Sequence, residues 1–222
     1  MHTPPNLLND DGTASMATAL MMSHHAFRRD LGRFARALAA LDIARTDAIR
    51  EEWQSFHFHL HGHHEAEDQG VFPGIVAEAA SLATTIDRLS ADHRRIDPLL
   101  ERGDRAFADL PGAVDAAAAV VRELQALLDP HLATEEAELI PFLRAAKVFP
   151  APSTDAEADL YAEGFAWAMQ GVAPDVLDQL YAMLPNVLLT KLPAARAAFQ
   201  VRCERVWGSF TVGAARTPIP DA

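Results

Sequence analysis

The sequence predicts an all-α protein, an antiparallel up-down-up-down four-helix bundle with a C-terminal helical extension. Three observations carry that expectation. Half of the 222 residues are hydrophobic, yet only 7% are aromatic, and alanine and leucine dominate while Val, Ile and Tyr are sparse, a balance that favours helix over sheet. Apolar residues recur every three or four positions along four long stretches joined by short linkers, which is the pattern of antiparallel neighbouring helices. The chain also matches itself at an offset of 68 residues (His63 on His131), so two helical hairpins of one design follow one another.

Residues 1–14 are rich in Pro, Asn, Asp and Gly and are expected to be disordered. The first helix runs from near Ser15 to near Leu41, with Leu20, His24, Phe27, Leu31, Phe34 and Leu38 on one stripe. Thr46 is the expected N-cap of the second, which carries Trp53, Phe56, Leu60, His63 and Glu67 and reaches Gly70 or beyond, with a break near Pro73. The third spans Ser81 to Leu110, with Leu82, Ile86, Leu89, His93, Ile96 and Leu100 aligned and a kink expected at Pro98. The fourth begins near Pro111, read as a first-turn proline, carries Val121, Leu124, Leu128, His131, Glu135 and Leu139, and ends near Lys147. These four make a bundle over residues 15–148. After a Pro-rich break, Ser153 or Thr154 followed by Glu157 signals a new helix start. An extension over residues 153–212 then holds two or three shorter helices packed on the bundle, with Pro174 and Pro193 in first turns and a loose tail after Gly213.

Thirty-one acidic against 19 basic residues give a net charge of −12, which repels phosphate backbones and argues against nucleic acid as a partner. No apolar run reaches the roughly 18 residues that span a bilayer, so no membrane is expected. The first residues lack the basic and apolar regions of a secretion signal, and a cytoplasmic protein is the expectation. Cys203 is the sole cysteine, which excludes an internal disulfide and a thiolate metal cage.

Five of the ten histidines fall between His57 and His64. Three pairs there have the i,i+4 spacing that puts two side chains on one helix face: His61/Glu65, His63/Glu67 and His64/Asp68. The repeat selects among them. At the 68-residue offset Phe56 meets Leu124, Leu60 meets Leu128, His63 meets His131, Glu67 meets Glu135 and Asp68 meets Glu136. At an offset of 69, His24 meets His93. His63/Glu67 and His131/Glu135 lie on apolar stripes, whereas His57, His61, His64 and Asp68 follow another stripe and are expected to face solvent. Four histidines (His24, His63, His93, His131) and two glutamates (Glu67, Glu135) are thus expected to converge on the bundle axis. Buried carboxylates are costly unless compensated, and two divalent ions nearly neutralise two glutamates and a bridging hydroxide. Nitrogen and oxygen donors without thiolate suit iron, manganese or zinc.

His24-His25-Ala-Phe-Arg-Arg-Asp-Leu, the His63–Pro73 segment, Asp92-His93-Arg-Arg-Ile and the His131–Pro141 segment together resemble the hemerythrin-like (HHE cation-binding) family over about residues 16–147. The resemblance implies two iron ions with a bridging oxygen in a four-helix bundle, and small oxidants (O2, H2O2 or NO) as partners in oxygen binding, oxygen or iron sensing, or oxidative-stress chemistry. Oxygen-carrying members have a further histidine four residues after the third-helix His, where this chain has Asp97, and an Asp five residues after the fourth-helix His, where this chain has Glu135 at four. The arrangement is similar to the H-HxxxE-H-HxxxE subgroup, to some members of which peroxide decomposition is ascribed. A catalase-like reaction or nitric oxide handling is therefore expected ahead of oxygen transport. His59, four residues before His63, is placed to act as a fifth histidine ligand or as a hydrogen-bond partner of one, although its repeat mate is Leu127. Tyr161 and Tyr181 are candidates to cap the bundle mouth.

Overall fold

A computed structural model describes residues 6–209. All regular structure among the described residues is helical: α1 (Met16–Ala39), α2 (Thr46–Ala66), α3 (Phe72–Glu78), α4 (Ala83–Ala108), α5 (Val114–Glu138), α6 (Ile140–Leu143), α7 (Asp155–Ala168), α8 (Pro174–Met183) and α9 (Asn186–Trp207). None of these is long and apolar enough to cross a membrane. The tail after Gly213 lies outside the described residues.

The four long helices α1, α2, α4 and α5 stand where the apolar stripes predict them, and their punctuation differs in instructive ways. Thr46 has helical torsions and begins α2 rather than capping it; Asp42 caps instead, accepting from the Ala44 N–H at the head of a short 3-10 turn, Ile43–Arg45. Pro73 does not end the second helix. It sits in the first turn of α3, where its missing N–H does no harm, and the helix is interrupted just before it by a π-turn, Glu67–Val71. Here the Phe72 N–H reaches back to the Glu67 carbonyl. The repeat keeps this device in part: Pro141 opens α6, which starts two residues after α5 breaks off at Glu138. Pro111 follows a cis peptide in the turn before α5 rather than starting that helix. Pro193 lies inside α9, whose entry is marked by Pro185.

By contact the chain forms two compact units, Met1–Arg29 with Ala133–Ala222, and Asp30–Leu132. Unit Asp30–Leu132 is built around an aromatic cluster. Phe34 presents its ring edge-on to Trp53, Phe56 and Phe107, and Trp53 stacks on Phe107 at 4.2 Å and 9°. Trp53 Nε1 donates to Asp104, which satisfies the one polar atom of the ring. Gly103 provides the face against which the indole lies.

In the other unit α7 and α9 pack together, and α7 meets the first half of α1 through Phe27 and Trp167, whose ring centroids are 5.1 Å apart. Thr154 caps α7 by accepting from the Glu157 N–H, and Glu157 in return accepts from the Ser153 N–H. Three helices occupy the extension. Residues 6–14, expected to be disordered, are held instead. Leu7 and Ala14 are buried, Thr18 donates to the Leu7 carbonyl, and Arg144 donates to the carbonyls of Asn6 and Leu8. The polar composition misled because its backbone groups find partners in the turn after α6.

Candidate metal centre

Unit Asp30–Leu132 brings together His64, Glu67, His93 and His131, each offering one ligand atom, all within 4.8 Å of one another and all buried. His93 Nε2 lies 3.2 Å from His131 Nε2 and 3.6 Å from Glu67 Oε2. The second oxygen of the same carboxylate, Glu67 Oε1, faces His63 Nε2 at 3.3 Å. Glu67 therefore serves two nitrogen sets at once. Its position follows from local backbone: α2 delivers His63 and His64 on its last turn, and the π-turn opens at Glu67. Such one-residue widenings recur at functional sites because they re-aim a side chain without ending the helix.

These separations fit a cation. Ligand atoms about 2.0–2.2 Å from a metal stand about 2.8–3.6 Å apart along octahedral or tetrahedral edges, and the three separations just given fall in that range. Imidazole with carboxylate, and no thiolate, is the donor chemistry that iron, zinc and manganese accept.

The rings are aimed by carboxylates behind them. His93 Nδ1 donates to Asp68 Oδ2 at 2.9 Å, and Ser90 donates to the other Asp68 oxygen. A carboxylate only accepts, so the proton sits on Nδ1 and the Nε2 lone pair faces the group. Burial pushes the Asp68 carboxyl up, but the Ser90 and His93 donors outweigh it and hold it below its usual range. In the other unit the repeat mates do the same. His24 Nδ1 donates to Glu136 Oε1 at 3.0 Å, and its Nε2 lies 3.4 Å from Glu135 Oε2. Arg28 also donates to Glu136. Burial raises the Glu136 carboxyl, and His24 with Arg28 overcome this and bring it down to about 2.

Asp68→Asn keeps the shape but lets the His93 ring turn, and metal affinity should fall about 10–100-fold in a chelator competition. In the metal-free chain Glu136 contributes stability that is complete above the ordinary glutamate range and vanishes as pH falls toward about 2. The stability gap between the parent and Glu136→Gln, read by urea unfolding, should therefore close as pH is lowered from neutral to about 2.

His64 and Asp68 depart from the expectation that they face solvent. His64 is buried, and its ring stacks on His93 with centroids 4.0 Å apart, while Asp68 holds His93 from behind. A signal was present: Phe56, Leu60, His64 and Glu67 step by four, four and three, a second stripe on the buried face. The repeat hid it, because the mate of His64 is the apolar Leu132. His57 is half-buried and paired with Asp104, and His61 is exposed and near Asp97, 3.5 Å away. His59 is half-buried beside Phe58 and is not brought into the group. The Tyr161 hydroxyl donates to Glu157, and the Tyr181 hydroxyl accepts from Arg196.

No curated protein and no solved structure matches the chain. The family model of the hemerythrin HHE cation-binding domain matches residues 15–143, which include both histidine–glutamate pairs and both repeat-related histidines. The chain belongs to the hemerythrin HHE cation-binding family, and its fold is the helical bundle of that family.

Proposed function

We propose that this protein holds a non-haem di-iron centre and reacts with small oxidants, by disproportionating hydrogen peroxide or by handling nitric oxide. The observation that supports it most is the Glu67 carboxylate, whose two oxygens face two different histidine sets, His63 on one side and His93 on the other. A carboxylate so placed suits two ions better than one. In this reading Glu67, His93 and His131 would hold one ion and Glu67 with His63 would face a second, while His24 and Glu135 remain ligand candidates from the sequence repeat alone. Bound iron supplies one-electron redox capacity and an open position for an exogenous ligand. The chain's own residues orient the rings through Asp68 and Glu136 and exclude bulk water by burial. Asp97, which replaces the additional histidine of oxygen carriers, is half exposed and near His61 rather than the group.

Iron-loaded protein should evolve oxygen from peroxide, and His63→Ala and Glu135→Ala should abolish this. Turnover no greater than that of free iron overturns the enzymatic reading. Metal analysis giving one zinc per chain overturns the di-iron reading. One observation favours a second reading, reversible oxygen binding or oxygen/iron sensing without turnover: His64 brings a further ring to the group that Asp97 does not supply. An absorption band that appears with oxygen and disappears on its removal would select it; rapid irreversible oxidation would exclude it.

A further inference from the structure

We propose that His64 is itself a metal ligand, the third ring nitrogen of a cation position contained wholly within residues 30–132, and that this position fills first. The inference rests on the metal-centre reading above and assigns a ligand that neither the family pattern nor the internal repeat identifies. His64, His93, His131 and Glu67 are all buried, and each offers an atom within 4.8 Å of the others. A histidine has no apolar reason to occupy the last buried turn of α2, where its mate is leucine. Its ring lies nearly parallel to His93, at 14°, and nearly perpendicular to His131, at 73° and 5.6 Å. Imidazole lone pairs lie in the ring planes, so His64 would turn out of its stack on His93 to aim a nitrogen at the ion, and the crossing His131 ring supplies a further direction. Phe72, from the start of α3, also stacks on His93 and holds the ring plane.

The count makes the two positions unequal. Three nitrogens and a carboxylate oxygen come from one compact unit, so this position needs no other part of the chain to be assembled. The sequence repeat offers His24 and Glu135 as further ligands, and both lie outside residues 30–132. Nitrogen-rich donation raises affinity for late first-row divalent ions.

The test uses the metal-free full chain titrated with zinc. At one equivalent, X-ray absorption at the zinc edge should report three imidazoles. His64→Phe preserves a flat ring against His93 and removes the nitrogens. It should lower first-equivalent affinity by more than the roughly 10–100-fold that loss of a ligand's hydrogen-bond partner costs. The imidazole count should drop from three to two, while the circular dichroism of the metal-free variant stays unchanged. The absorption measurement needs no variant, so misfolding of His64→Phe cannot shelter the proposal. Two imidazoles in the unmodified chain, or an unchanged affinity in His64→Phe, overturns the role of His64 and leaves the metal centre standing. No zinc bound by the unmodified chain overturns both.

Discussion

Glu67→Gln is expected to leave the protein folded and, in the proposed two-ion centre, to take metal away from both positions at once. The side chain is fully buried, with one oxygen facing His63 and the other facing His93. The amide is almost isosteric but neutral, and one of its two ends is a donor that turns its hydrogens toward any ion. Binding of each equivalent should weaken by more than about a hundredfold, beyond the loss of an orienting partner. Stability should move in opposite directions in the two states. Without metal, the amide avoids burying a carboxylate, which costs several kcal/mol when incompletely compensated, so the metal-free variant should melt no lower than the metal-free parent. With metal, only the parent gains the stabilisation that ligand binding confers on the folded state. Thermal melts with and without added metal read both effects. A variant that still shows the parent's metal-dependent rise in Tm contradicts the shared role of Glu67.

Gly103→Ala should be among the most damaging substitutions in the chain, although it replaces a poor helix former with the best. A Cβ built on Gly103 would lie 1.9 Å from Trp53 Cζ2 and within 2.7 Å of two further indole atoms. The indole cannot step aside. It is fully buried, stacked on Phe107, edged by Phe34 and tied through Nε1 to Asp104. Helix propensity offers about 1 kcal/mol in favour of alanine, whereas overpacking a rigid core costs about 1–3 kcal/mol and sometimes more. A clash this deep belongs at the upper end, and a net loss of about 2 kcal/mol or more is expected from urea unfolding. Pairing the substitution with Trp53→Phe should recover part of the loss, since the smaller ring vacates the space the methyl needs. Full additivity of the two single changes would argue against the contact.

Much of the fold is legible in the sequence because it is periodic. The stripes of Phe27, Leu31 and Phe34, and of Leu124, Leu128 and His131, mark buried faces, and the 68-residue offset aligns the ligand-bearing turns without any structure. The same alignment puts Asp68 opposite Glu136, and these prove to be the carboxylates that hold His93 and His24. What escapes is whatever breaks the symmetry. His64 has no counterpart, so a comparison of the two halves passes over it. Proline is a poor guide to helix ends. Pro73 and Pro141 begin short helices, Pro98, Pro130 and Pro193 lie within long ones, and Pro111 sits in a turn. A missing N–H is tolerated wherever neighbouring packing holds the segment, and packing is a tertiary property. The order of residues 6–14 likewise depends on Arg144, more than a hundred residues away.

Adjacent histidines on α1 divide their attention. His24 turns toward Glu135 and Glu136, while His25 Nε2 meets the Gln170 carbonyl at 3.0 Å. One turn on, the fully buried Arg29 donates to the carbonyls of Trp167 and Gln170 at the end of α7. The family match ends at residue 143, yet the turn that carries His24 is clamped by residues beyond it. The inherited module and the foldable object thus have different lengths. A chain cut at the edge of the match would keep every family ligand, lose the acceptors of two buried cationic or ring donors and bare Phe27, so the minimal metal-binding fragment of this protein extends at least through Gln170.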